Sequence, residues 1–240
     1  MGSDDLFKKR KARKAEEQAR KKAKRKPYDK VLIVCEGEKT EPIYFEEVRV
    51  FYELDIANVE VDGDCGSSPI NVVNHAYCLH EKALKSGDIY NRVFCVFDRD
   101  NHSSFDEAIA KVDQINVDLE KAGLGKQIIF ESIPSIPSFE YWFLLHYQPT
   151  TKPYAATPTK SVGDLVIDDL KVYLPLYKKT QKGLFKKSLD EGTYDGAMAH
   201  SERIYENAIK SGVTNPSTKV HQLMAYLEEL KNKKIAKSKK

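Results

Sequence analysis

Short apolar runs alternate with amphipathic stretches through the first half of the chain. Val31-Leu32-Ile33-Val34-Cys35 and Val93-Phe94-Cys95-Val96-Phe97 are continuous, rich in β-branched and aromatic residues, and about five residues long. Such runs fit parallel strands buried on both faces. Between and after them the pattern predicts a helix from Glu41 to about Leu54, with Pro42 tolerated in its first turn. A short strand follows at 59–61, closed by Asp62-Gly63-Asp64, and then a helix opened by Ser68-Pro69 and stopped by Gly87. The second long strand spans 92–97. Ser104-Phe105-Asp106-Glu107 reads as a capping box for a helix to about Ala122, and Gln127 to Glu131 as a fourth strand. This βαβαβαβ rhythm predicts an α/β fold: a parallel sheet flanked by helices.

The rhythm then changes. Ile133-Pro134-Ser135-Ile136-Pro137 reads as a rigid linker, and Ser138 as the cap of an apolar helix, Phe139 to Tyr147, that holds the only tryptophan, Trp142. Residues 148–160, rich in Thr and Pro, read as a loop. Helical patterns follow at about 163–174, 177–189, 197–211 and 216–233, with Asn215-Pro216-Ser217-Thr218 as a capping turn before the last. The expected organisation is a basic arm at 1–27, an α/β domain at 28–148, a mostly helical C-terminal region at 149–233 and a basic tail at 234–240.

Charge sharpens this division. The net charge is +3, but residues 1–26 carry +8 and residues 231–240 carry +6, which leaves −11 on the body between them. The run Lys8 to Lys26 has no apolar stripe, so it is either a phosphate-contacting arm or a solubilising tail. No stretch approaches 18 consecutive apolar residues, and no apolar signal segment stands near the start. No membrane association and a cytoplasmic location are therefore expected. The four cysteines, Cys35, Cys65, Cys78 and Cys95, form no C-x-x-C pair and no zinc spacing, and are expected to be reduced and structural.

The chemistry sits where the two long strands end. Cys35-Glu36-Gly37 closes the first and Phe97-Asp98-Arg99-Asp100 the second. In parallel α/β sheets functional residues collect at the carboxyl ends of strands. Alternate residues of an extended end point the same way, so Asp98 and Asp100 can face one cation while Arg99 points away. Taken singly, Glu36 reads as an ordinary surface acid beside a turn glycine, and Asp98 and Asp100 can serve the dipole of the next helix. Together, on neighbouring strands, three carboxylates repel one another unless a cation sits among them, and oxygen ligands favour Mg²⁺ or Mn²⁺. Gly37-Glu38-Lys39-Thr40 superficially resembles a P-loop, but Ile33 stands where its first glycine belongs, which excludes an ATPase site of that type.

These acidic segments resemble the signature of the Toprim fold of topoisomerases, primases and defence nucleases. More closely, Glu36 to Glu41, Phe97 to Asp100, Ser138 to His146 and Asn215 to His221 resemble the RloB-like family, across nearly the whole chain after Tyr28. The resemblance implies a Toprim-like core, a role in prokaryotic antiviral defence or abortive infection, and an ATPase partner. It implies metal-binding roles for Glu36, Asp98 and Asp100.

The resulting expectation is a metal-dependent nuclease using Mg²⁺ or Mn²⁺ on RNA, tRNA or DNA. Lys39 would stabilise charge on the phosphoryl group, and Glu140 would serve as fourth ligand or general base, its ordinary alternative being a helix-dipole partner. His102 and His221 are weaker candidates. Lys178, Lys179, Lys182 and Lys186, with Tyr173 and Tyr177, form a basic aromatic segment that either tracks a nucleic-acid backbone or is the solvated face of a packed helix. The competing expectation is a non-catalytic subunit that binds nucleic acid or a partner through its basic arms.

Overall fold

The computed structural model describes residue 13 and residues 28–64, 66, 68–100 and 103–238. The basic arm apart from Arg13, Cys65, His102 and the last two residues of the basic tail lie outside the described residues.

Five strands form one sheet in the order β2-β1-β3-β4-β5: β1 (Val31–Cys35), β2 (Val59–Asp62), β3 (Arg92–Asp98), β4 (Ile129–Ile136) and β5 (Ser217–Thr218). The first four are parallel, joined by α1 (Thr40–Phe51), α2 (Pro69–Lys85) and α3 (Phe105–Lys121). The alternation of side chains along β1 and β3 divides the interior in two. Leu32, Val34, Val93, Cys95 and Phe97 pack under α2 and α3 against Val73, Ala76, Ala108 and Val112. Val31, Ile33, Cys35, Phe94 and Val96 face Phe45 and Val48 of α1, together with Leu223 and Leu227 from the C-terminal end of the chain. Burial on both faces is why these strands read as continuous apolar runs. Cys35 and Cys95 are buried, one on each face, and Cys78 is exposed.

The second half is helical: α4 (Glu140–Leu144), α5 (Val162–Lys171), α6 (Leu184–Asp190), α7 (Tyr194–Ser211) and α8 (Val220–Ser238). No helix among the described residues is long and apolar enough to cross a membrane.

Several boundaries differ from the sequence reading. The expected linker at 133–137 is largely the continuation of β4, paired with β3 up to Asp98 and Ser135. The expected capping turn at 215–218 contributes β5, whose Ser217 and Thr218 pair antiparallel with Ile136 and Ser135. Two residues carry no period, so nothing in the pattern announced this strand. Ser104 does not cap α3: its backbone (φ −88°, ψ 7°) is not the extended conformation a side-chain cap needs. A capping box forms instead at Ser161 and Asp164, ahead of α5. The helix expected at 177–189 is shortened to α6, because Gly183 at φ +83° starts it and residues before that run in turns.

The strand order sets up the site. β2 lies on one side of β1, and the chain then crosses to place β3 on the other. The winding reverses between β1 and β3, and crevices at such reversals, outside the carboxyl ends of the strands, are where open α/β sheets bind ligands.

Candidate functional site

Glu36 and Asp98 stand on either side of that reversal. The Glu36 backbone N–H donates to the Val96 carbonyl at 3.0 Å, extending the β1–β3 ladder by one residue. The Glu36 side chain then turns across and accepts the Asp98 backbone N–H at Oε2, at 2.9 Å. The two acidic strand ends are thus bound to each other directly. Asp100 follows in a left-handed backbone (φ +32°), which Asp tolerates better than most side chains. Its N–H donates to the Pro137 carbonyl at 3.1 Å and the Arg99 N–H to the Ser135 carbonyl at 2.9 Å, so the end of β4 holds the turn in place. Arg99 points elsewhere, as its place in the alternation suggests, over the Phe105 ring at 5.3 Å and toward Thr214.

These residues line a cavity of about 500 Å³ that also takes in Lys39, Glu41, Glu140 and Lys179. Glu140 is buried in the first turn of α4, where Tyr177 Oη donates to its Oε1 at 3.1 Å and Lys179 Nζ stands 3.9 Å away. The sequence reading names Glu140, and offers Lys179 only as one of four lysines that either track a nucleic-acid backbone or face solvent. It had also offered Tyr177 as a stacking platform for bases; Tyr177 is buried and unavailable for that, and Tyr173 stacks on Tyr147 with ring centroids 5.4 Å apart. Lys178 and Lys182 are exposed, Lys182 and Lys186 border a separate apolar groove along α1, and Lys186 pairs with Asp190 at 2.7 Å.

Glu41 was missed. The sequence reading gives it as the start of a helix and the last residue of the resembling segment 36–41, with no role of its own, and an acid in a first turn looks like an ordinary dipole partner. Here α1 turns its first residues inward, so Glu41 is buried in the cavity wall. Burial, followed by the charges of Glu140 and Glu36, raises its pKa from 4.5 to about 7. Asp98 is raised well above its ordinary 3.8 by burial first, then by Glu41, Glu140 and Glu36. Its Oδ1 is buried and has no hydrogen-bond partner among the described residues. A buried acceptor without a donor is costly.

The fit to a divalent cation rests on that orphaned oxygen and on an all-oxygen donor set of mutually repelling carboxylates. Among the described residues no three Asp, Glu, His or Cys side chains form a ready-made ligand group, so the carboxylates line one cavity without converging on one point. His221 lies apart. It shares a hydrogen bond with Ser201 Oγ at 2.8 Å beside a different cavity between α7 and α8, and burial lowers its pKa to about 4.

Gly37 is needed for a reason other than turn geometry. A Cβ there would meet Glu41 Oε2 at 2.6 Å. Gly37→Ala is therefore expected to force the Glu41 carboxylate from its seat and to destabilise the fold by about 1–3 kcal/mol. Equilibrium denaturation checks this; a variant as stable as wild type would mean that Glu41 is not held in place.

Neither a curated protein nor a solved structure matches the chain. The family model described as RloB-like protein matches residues 31–227, which takes in every residue lining the carboxylate cavity. The chain belongs to the RloB-like family.

Proposed function

We propose that the chain is a Mg²⁺- or Mn²⁺-dependent nuclease of the Toprim type that hydrolyses phosphodiesters of RNA, tRNA or DNA in antiviral defence, alongside an ATPase partner. The observation that carries the reading is the orphaned Asp98 Oδ1 among carboxylates at the β1–β3 reversal. Glu36, Asp98 and Asp100 would hold the ion. A divalent ion there polarises the scissile phosphate and lowers the pKa of an attacking water. Glu36 fixes the end of β3 through the Asp98 N–H. Glu41, buried in the wall of the same cavity and ionised once a cation is bound, is placed to take up the proton of that water. Lys39, exposed at the cavity edge, neutralises charge gathering on the phosphoryl oxygens.

The test is cleavage of mixed DNA and RNA, including total tRNA, with Mg²⁺, Mn²⁺ or EDTA. Metal-dependent cleavage by wild type and its loss in Glu36→Gln are expected. Gln keeps an acceptor for the Asp98 N–H, whereas Ala would orphan that donor and confuse loss of structure with loss of chemistry.

A second reading, a binding subunit without catalysis, draws on the contrast between the +8 of residues 1–26 and the −11 of the body. Deleting residues 1–26 separates the two. Under this reading affinity for nucleic acid collapses and its salt dependence flattens, whereas a nuclease keeps slower but detectable cleavage.

A further inference from the structure

We infer that Lys179 is a substrate-binding residue of the carboxylate cavity, holding a phosphate oxygen together with Lys39; the inference rests on the nuclease reading and names how its substrate is held. Among the described residues the cavity is lined by six acidic side chains, and only Lys39 and Lys179 bring positive charge to it. A phosphodiester anion entering such a cavity needs a cation besides the metal, placed before it arrives.

The chain builds that placement from a distance. Lys179 lies in the connection between α5 and α6, far from the acidic strand ends in sequence, and that connection is pinned at successive points. Tyr177, buried, donates to Glu140 Oε1 at 3.1 Å. The Lys179 carbonyl accepts from Thr40 Oγ1 at 3.3 Å, and Thr40 is the neighbour of Lys39. Farther on, the Gly183 and Lys186 N–H groups donate to the Glu47 carboxylate at 3.1 and 3.0 Å, so α1 itself caps the start of α6. Backbone and buried hydroxyl fix the Lys179 Cα, while the ammonium end stays 63% exposed and 3.9 Å from Glu140, beyond hydrogen-bond distance. Two other surface lysines are engaged more tightly, Lys160 with Asp168 at 2.5 Å and Lys186 with Asp190 at 2.7 Å. An anchored stem with a loosely paired, solvent-facing ammonium over a reacting site is the arrangement of a group waiting for an anion.

The experiment uses the full chain and two readouts. Cleavage is followed with Mg²⁺, and binding of a labelled oligonucleotide, as RNA and as DNA, is followed with Ca²⁺ in place of Mg²⁺. Lys179→Ala is expected to lower kcat/KM by about a hundredfold and to weaken oligonucleotide binding by about tenfold, with Lys179→Arg recovering much of both. Tyr177→Phe, which keeps the ring and loses the hydrogen bond, should show a smaller loss of the same kind. Lys210→Ala, on α7 away from this cavity, should match wild type. If wild type binds but cleaves nothing, the hydrolytic reading fails, and the binding loss in Lys179→Ala alone decides the inference. Unchanged binding and cleavage in Lys179→Ala, or no oligonucleotide binding by wild type, overturns it.

Discussion

Asp98→Asn is expected to raise the melting temperature of the metal-free protein and, in the same variant, to reduce metal-dependent cleavage on the order of a thousandfold or more. The two effects have one cause. Asp98 is half-buried beside Glu36, Glu41 and Glu140, all of which push its pKa up, and one of its oxygens is buried without a donor among the described residues. Folding without a cation must either keep this carboxylate charged against its neighbours or protonate it, and each choice costs free energy relative to the unfolded chain. Asn fills the same volume with no charge. Each kcal/mol of relieved repulsion raises Tm by roughly 2–4 °C in a chain of this size. The Asp98 N–H that binds Glu36 belongs to the backbone and survives the change. Differential scanning in EDTA, followed by the cleavage assay, checks both halves. Stabilisation with full activity would remove Asp98 from the mechanism; loss of activity with marked destabilisation would mean that its carboxylate serves the fold.

A site that destabilises its own fold in the absence of ligand is what local conflict between sequence and structure looks like, and it was partly visible beforehand. Glu36 and Asp98 could be read because each closes a continuous apolar strand, and strand ends in a parallel sheet share one edge. The Asp98-x-Asp100 spacing drew attention to both acids, which line one cavity, but the left-handed backbone of Asp100 and not strand alternation sets its place. Glu41 could not be read in the same way. Its burial depends on α1 starting immediately at Thr40 and leaning over the sheet, and on the space that Gly37 leaves for its carboxylate. Tyr177 and Lys179 were legible only as a basic aromatic segment, because their contacts with Glu140 and Thr40 span 37 and 139 residues of sequence. Hydrophobic periodicity reports which face of an element is buried; it does not report which distant element covers it. The same limit hid β5, and it turned the second half of β4 into an apparent linker, since two prolines suggested a break where Pro134 is accommodated within the strand.

The second large effect is a pH dependence specific to the cavity. Glu41→Gln is expected to stabilise the metal-free protein above about pH 7 by about 3 kcal/mol relative to wild type, and to make no difference below about pH 4. The folded Glu41 titrates near 7 and the unfolded one near 4.5. Between those values the folded state holds a proton that the unfolded state has lost, so wild-type stability falls as pH rises through the window and levels off above it. The whole-protein profile does not display this alone. His146 and His221 are buried, with pKa values lowered from 6.5 to about 4, so their contribution runs the other way, present above 6.5 and lost as pH falls toward 4. Subtracting the two denaturation profiles removes the histidines, which are common to both proteins. A divalent cation favours the ionised carboxylates and should erase the difference. Adding Mg²⁺ at pH 6.5 should then release protons, seen as a calorimetric heat that changes with the ionisation enthalpy of the buffer, and Glu41→Gln should release fewer. A difference profile that is flat from pH 4 to 8, with no buffer dependence of the Mg²⁺ heat, would show that Glu41 is ionised throughout and that the cavity carries its charge without help from a proton or a metal.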